Sequence, residues 1–266
     1  MRVIVTRPER DAPEWVQGLG KAGLAVAQLP LIDIRPVGDG AALLRAWQNL
    51  RSYAAVMFVS GNAVEHFLLS KPTLALVAID FNAAKTRVWA TGPGTARALL
   101  EAGVDAGLLD APPIDAGQFD SEALWSVVHG SVKPGDRVLI VRGADGPVPG
   151  ASGVPGAGRD WLAARLTQAG VQVDFVVAYQ RCVPVFSEAD HTLARAAAVD
   201  GSVWLLSSSE AVANLSALLP GQRWTLARAV ATHSRIAERA RQLGFGVVCE
   251  SRPVLSEMVA SIESLR

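Results

Sequence analysis

Cysteine is nearly absent from this sequence. Two residues, Cys182 and Cys249, stand far apart in 266 positions with no paired histidines near either. That argues against a disulfide framework and against a zinc site, so no metal is expected. An excess of charge of either sign is missing too, because 25 basic residues balance 25 acidic ones. No whole-chain attraction to nucleic acid or to an anionic membrane follows, and anion binding must be local. Nor is there an uninterrupted apolar run of the roughly 18 to 20 residues that a membrane-crossing helix needs. The amino-terminal "MRVIVTRPER" holds an apolar run of three residues before a Thr-Arg-Pro turn. This is far short of a signal sequence, and a cytoplasmic protein is expected. His66, His129, His191 and His233 are scattered. No Ser-His-Asp or Cys-His arrangement can be read from their spacing.

What is present is a rhythm. Short β-branched runs alternate with helical patterns: "RVIVT" then "APEWVQGLGKAG", "AAVMFVS" then "GNAVEHFLLS", "RVWAT" then "GTARALLEAG", "DRVLIVR" then "RDWLAARLTQAG", and "SVWLLSS" then "SEAVANLSALL". Strands this apolar, separated by helices, indicate parallel sheets covered on both faces. The length suits two domains of roughly 130 residues each.

A faint internal repeat supports two similar α/β domains. "VMFVSGNAVEHF" (56–67) resembles "WLLSSSEAVANL" (204–215), aligning Ser60 with Ser208, and "ATGPGTARALLEAG" (90–103) resembles "ATHSRIAERARQLG" (231–244), aligning Gly92 with His233. Two extended segments, "PLIDIRPVGDG" (30–40) and "VDFVVAYQRCVPVF" (173–186), read as crossings that leave and return, pair as a ribbon, and make the first domain discontinuous. The glycine- and proline-rich stretch 142–159 reads as a mobile surface loop or an insertion between strand and helix.

Several motifs carry possible chemistry. In "TGPGTAR" the glycines Gly92 and Gly94 let backbone approach a ligand, and Thr95 falls in the first turn of the following helix. Unpaired N–H groups there suit phosphate or carboxylate. The third glycine of the dinucleotide fingerprint is missing, and an ordinary strand-to-helix turn is the plain alternative. Thr6 and Arg7 end the first strand, where a hydroxyl and a cation can meet an anion at the carboxyl end of a sheet. Otherwise Thr6 merely caps and Arg7 is solvated. Ser60 and Ser208 end strands before helices, so capping is their default role, although their repetition favours a shared anion-binding use. "FDSEALW" (119–125) fits a helix start capped by Asp120 or Ser121. Tyr179, one of two tyrosines, lies on the second crossing; it either donates a proton or hydrogen bond, or simply packs.

Taken together, "VIVTRP", "PLIDIRP", "FVSGNAV", "ATGPGTARAL", "DSEAL", "VLIVRG", "GRDWLAARLTQAGVQVDFVVAYQR", "LLSSSEAV" and "THSRIAERARQLGF" resemble the uroporphyrinogen-III synthase family over nearly the whole chain. The order and spacing of the blocks carry the likeness. The resemblance implies two flavodoxin-like α/β domains with parallel sheets, joined by a two-stranded β-ladder linker. Their expected spans are 1–35 plus 184–266, and 36–183. It further implies a cofactor-free, cyclising lyase of haem biosynthesis that converts hydroxymethylbilane to uroporphyrinogen III with loss of water and inversion of ring D. Tyr179, matching the family's tyrosine, would assist departure of the hydroxyl. Thr95, matching the threonine of its Gly-x-x-Thr-Ala segment, would be the second catalytic candidate, binding a carboxylate or positioning the terminal ring. Thr6, Arg7, Ser60, Asn62, Gly92, Gly94, Ser208 and His233 would serve substrate binding. Where some members carry Gly-Pro-Thr-Thr this chain has "HSRI", with Ser234 or Arg235 to replace the hydroxyl. The expected partners are hydroxymethylbilane and, transiently, hydroxymethylbilane synthase, with no nucleic acid, no membrane and a monomeric state. A non-catalytic two-lobed module for a small anionic ligand is the competing expectation. A nucleotide-dependent enzyme is disfavoured by the missing third glycine and the absence of a P-loop lysine.

Overall fold

A computed structural model describes residues 1–72, 80–113, 116, 119–146 and 157–265. Its first half runs β1 (Arg2–Val5), α1 (Ala12–Lys21), β2 (Ala25–Gln28), β3 (Asp33–Pro36), α2 (Ala41–Gln48), β4 (Ala55–Phe58), α3 (Gly61–Leu69), α4 (Phe81–Ala84), β5 (Arg87–Ala90), α5 (Pro93–Glu101), β6 (Leu109–Asp110) and α6 (Ser121–Val128). There follow β7 (Arg137–Asp145), α7 (Ala157–Gln168), β8 (Gln172–Cys182), α8 (Glu188–Ala197), β9 (Val203–Leu206), α9 (Ser209–Leu218), β10 (Arg228–Ala231), α10 (Ser234–Leu243), β11 (Val247–Glu250) and α11 (Leu255–Glu263). Two compact units result, Met1–Asp33 with Cys182–Arg266, and Ile34–Arg181. The chain passes between them within β3 and within β8.

The first unit holds a sheet in the order β11-β10-β9-β1-β2 with its pairs parallel. Counted along the unit's own chain this is 2-1-3-4-5, the flavodoxin order. The second unit's sheet runs β3-β8-β7-β4-β5-β6, parallel from β8 to β6. Its parallel part has the same spatial order once β7-α7-β8 is taken as the counterpart of β1-α1-β2. The strand–helix–strand piece that comes first in one unit comes last in the other, so the repeat is circularly permuted. The two crossing segments, β3 and β8, lie side by side at one edge of the second sheet.

Register carries this correspondence to single residues. Val3, Ile4 and Val5 pair with Val203, Trp204 and Leu205, as Val138, Leu139 and Ile140 pair with Ala55, Val56 and Met57. Continuing one residue at a time, Arg7 corresponds to Arg142 and Pro8 to Gly143.

Continuous apolar strands follow from burial on both faces. In β4, Val56 and Phe58 join one core with Phe67 and Leu99, while Ala55 and Met57 join the other with Leu124 and Leu162. The same alternation divides Val88 and Ala90 from Trp89 on β5. In the first unit, Val3, Val5, Leu205 and Val230 pack with Leu19, Met258 and Ile262. On its other face Trp204 meets Trp224 edge-on at 5.4 Å, and Trp224 stacks on Phe245 at 5.0 Å. Each fully buried side chain of this size contributes about 1.5–3 kcal/mol through removal of apolar surface from water.

One expectation needs correction. The stretch 142–159 is not loop from its beginning, because β7 continues to Asp145 and α7 begins at Ala157; residues 147–156 lie outside the described residues. Composition misleads there because β8 is long enough to supply partners. Gly146 N–H donates to the Arg181 carbonyl at 2.9 Å, and the Arg181 guanidinium pairs with the Asp145 carboxylate.

Candidate active site

Open parallel sheets bind ligands beyond the carboxyl ends of their strands, at the point where the winding reverses. In the second unit that point lies between β4, whose chain proceeds to β5 on one side, and β7, whose chain proceeds to β8 on the other. Ser60 follows β4 there. Its backbone is extended at φ −167°, and its hydroxyl accepts from the Ala63 N–H at 3.1 Å, capping α3. The same oxygen lies 3.1 Å from the Tyr179 hydroxyl. The default capping role of Ser60 is therefore present, together with a second contact that capping does not require.

Tyr179 reaches this place through two local features. Pairing of β7 with β8 runs regularly to Arg142 opposite Val177, then jumps to Gly143 opposite Tyr179, leaving Ala178 as the extra residue of a bulge. Val176 and Ala178 alternate onto the α3 face, and strict alternation would send Tyr179 to the opposite face; the bulge returns it to the α3 side. The ring then lies directly over Gly143. Tyr179 is 3% exposed, and His66 of α3 stacks against it at 5.8 Å between ring centres.

Thr95 occupies the third residue of α5 and is 6% exposed. Gly92 is the N-cap of that helix, extended at φ −172°, a conformation any residue adopts. A Cβ there would come within 3.3 Å of the Phe119 Cβ, so space rather than conformation restricts the position. Gly94 is exposed with open surroundings. Pro93 at the first helical position loses nothing by lacking an N–H that the helix would leave unpaired. Asn62, in the first turn of α3, is 6% exposed. Neighbouring Thr91 donates its hydroxyl to the Val59 carbonyl at 3.3 Å, tying the ends of β4 and β5 together.

In the first unit the winding reverses between β1 and β9. Thr6 does not cap α1, whose N-cap is Asp11; its hydroxyl donates to the Leu205 carbonyl at 2.5 Å across the two strand ends. Arg7 is not simply solvated either. Its guanidinium lies 4.4 Å above the Trp15 ring. Burial pulls its pKa below the ordinary arginine value, with Asp11 and Glu14 opposing that shift. It stays charged at neutral pH, and stacking leaves its in-plane N–H groups directed away from the ring. Ser208 caps α9, accepting from the Glu210 N–H at 3.1 Å. His233 caps α10, its Nδ1 accepting from the Arg235 N–H at 3.1 Å, which places the proton of the neutral ring on Nε2. Ser60 with Ser208, and Gly92 with His233, thus hold the same N-cap positions in the two units.

Sequence reasoning missed Gly143, Arg142 and His66. The permuted repeat held a signal for the first two, since "VLIVRG" and "VIVTRP" align on Arg142 and Arg7. Arg142 also sits over an aromatic ring, 4.8 Å from that of Phe175. Nothing in the linear pattern marks His66 as the neighbour of Tyr179. Among the described residues no group of three His, Cys, Asp or Glu side chains is placed to hold a metal ion. None of the described helices is long and apolar enough to cross a membrane.

Likeness to known proteins follows the whole chain. A family model described as uroporphyrinogen-III synthase HemD matches residues 13–260. The uroporphyrinogen-III synthase of Chlorobaculum parvum is 33% identical over 145 residues, covering 53% of this chain and about half, 53%, of that protein. The Escherichia coli protein of the same name is 27% identical over 256 residues, covering 92% of each chain. In fold, the solved uroporphyrinogen-III synthetase of Helicobacter pylori is similar with a TM-score of 0.59 at 15% identity, over 100% of both chains. With the family model running through both compact units, the chain belongs to the uroporphyrinogen-III synthase HemD family.

Proposed function

We propose that this protein is a uroporphyrinogen-III synthase, cyclising hydroxymethylbilane to uroporphyrinogen III with loss of water and inversion of ring D. The observation that carries the reading is the family match across residues 13–260, which also favours turnover over a non-catalytic binding module.

The substrate's carboxylates need several donors, and the chain offers them without net charge. Helix N-termini stand beyond the strands at Ser60, Gly92, Ser208 and His233. Helix N-termini favour anions through their unpaired N–H groups and dipole. Arg7 adds a forked cation, and Asn62, Gly94 and Thr95 complete the binding set, while Thr6, its hydroxyl proton held by the Leu205 carbonyl, serves by fixing the strand end that presents Arg7. Tyr179 is the catalytic residue. Its phenol donates a proton to the terminal hydroxyl as the C–O bond breaks, the bonding pair leaving with oxygen as water while the pyrrole nitrogen, keeping its own proton, supplies electrons to form a protonated, cationic azafulvene. The phenolate recovers a proton when ring closure releases one, so the net change is loss of one water. The azafulvene is reactive by itself, and the larger task is to hold one conformation for spiro attack. Orientation of this kind is worth up to roughly 7–11 kcal/mol.

The protein acts as a monomer in the cytoplasm, taking its unstable substrate from hydroxymethylbilane synthase by transient contact. The activity is tested by mixing the protein with freshly made hydroxymethylbilane, oxidising the products and separating the isomers. Predominant isomer III supports the reading; isomer I alone, from folded protein at the spontaneous rate, removes it.

A further inference from the structure

We propose that Gly143 and Ser60 are positioning residues that act through Tyr179, Gly143 by leaving room for the ring and Ser60 by donating its hydroxyl proton to the phenol oxygen. This rests on the synthase reading and extends it.

The need for glycine at 143 is one of space. Gly143 is absent from the glycines with positive φ, so its backbone would accept other residues. A Cβ built on it would lie 2.4 Å from the Tyr179 Cζ, 2.5 Å from Cε2 and 2.9 Å from the hydroxyl oxygen. Separations below 3.0 Å force movement. The ring cannot yield easily, being 3% exposed and stacked on His66. Even alanine therefore displaces the phenol from Ser60. The equivalent position of the first unit is Pro8, which carries the side-chain carbons that Gly143 lacks.

Ser60 sets the direction of the phenol proton. Its oxygen already accepts the Ala63 N–H. Its own proton remains to be donated, and the Tyr179 oxygen at 3.1 Å is an acceptor within reach. With Ser60 donating to it, the phenol keeps its own proton for the departing hydroxyl. As that proton leaves, negative charge grows on the Tyr179 oxygen, and the bond from Ser60 becomes charge-assisted, about twice as strong as a neutral one. The Ala63 N–H at the start of α3 polarises Ser60 in the same sense.

The test is a mutant cycle on turnover to isomer III, using Ser60→Ala, Gly143→Ala, Tyr179→Phe and the two doubles with Tyr179→Phe. Each single substitution is expected to lower kcat at least ten-fold, with KM within about two-fold for Gly143→Ala, which removes no donor to the substrate. In the Tyr179→Phe background, Ser60→Ala and Gly143→Ala are each expected to change kcat by less than about two-fold. Ser60→Thr, which keeps the hydroxyl, is expected to recover most of the loss. The chain has only two tyrosines, so labelling tyrosine at Cζ gives two carbon resonances. The Tyr179 signal is expected to move in Ser60→Ala and Gly143→Ala while that of Tyr53 stays, a readout that serves even where a variant is inactive. Additive losses in the doubles, or an unmoved Tyr179 resonance, overturn the proposal. Failure of the parent protein to form isomer III would instead overturn the synthase reading, and a Tyr179 signal that still moved would leave the positioning geometry standing.

Discussion

The Ser60 and Tyr179 hydroxyls lie 3.1 Å apart although 119 residues separate them in the chain. One follows β4 and the other belongs to β8, with β7 between their strands. The contact passes over β7 because Gly143 has no side chain there and because the bulge at Ala178 turns Tyr179 toward α3. A polar pair at the reversal of winding, made by a bulge and a glycine, is a more demanding arrangement than helix capping, which Ser60 achieves with Ala63 alone.

Tyr179→Phe keeps the ring and removes the proton. Folding is expected to survive with a loss of about 1 kcal/mol, the net value of one hydrogen bond. Turnover is expected to fall toward the low end of the ~10²–10⁴-fold range of proton-donor catalysis, because the substrate's hydroxyl departs readily by itself. Steady-state kinetics with urea unfolding checks both. Unchanged turnover would remove Tyr179 from the mechanism.

Arg7→Ala tests the first unit's share of carboxylate binding. Loss of a charged hydrogen bond, about 1.5–3 kcal/mol, is expected to raise KM at least roughly ten-fold with a small effect on kcat. The lost stacking on Trp15 costs about 0.5–1 kcal/mol of stability. A KM equal to that of the parent protein would show that Arg7 serves Trp15 and not substrate.

Gly246→Ala should injure the first unit without touching the site. The added Cβ would meet the Thr225 carbonyl oxygen at 2.0 Å, and the glycine N–H is held by the Trp224 and Ala227 carbonyls at 3.2 and 3.1 Å. Backbone must shift, at a cost of about 1–3 kcal/mol or more. A urea midpoint equal to that of the parent chain would contradict this packing.

Acid should loosen the first unit through Asp200. Burial pushes its pKa up, but hydrogen bonds from Ser202 and the charge of Arg2, 2.7 Å away, outweigh it and hold the carboxyl below its ordinary 3.8. A depressed carboxylate stabilises the fold above its unfolded value, and that contribution is lost as pH falls through the folded value, below 3.8. The side chain is 39% exposed, so solvent screening keeps the effect to about 0.2–1 kcal/mol. Asp200→Asn is expected to flatten stability against pH in that acid window. An acid limb as steep as the parent's would assign it to other groups.

Much of this fold was legible because strand and helix signals are local. Ser60 and Ser208 read as caps from their place between an apolar run and a helical pattern, and each accepts a first-turn N–H. The repeat could be seen, but its permutation could not, since β7-α7-β8 counts as a counterpart of β1-α1-β2 only after the strands are placed in order. The position of Tyr179 was hidden for a related reason. Its face depends on one extra residue in β8, and its space on a glycine that composition assigns to a loop. Contacts across neighbouring strands leave no periodic trace in the chain. Thr6 misled in the opposite direction, its hydroxyl tying β1 to β9 where a cap was the simple expectation.

The most direct measurement is the ratio of isomer III to isomer I formed from hydroxymethylbilane as the protein concentration is raised. A synthase makes isomer III at a rate proportional to the protein and depletes the substrate before it closes spontaneously, so the ratio should climb toward nearly pure isomer III. Isomer I formed at one rate at every protein concentration would contradict the assignment.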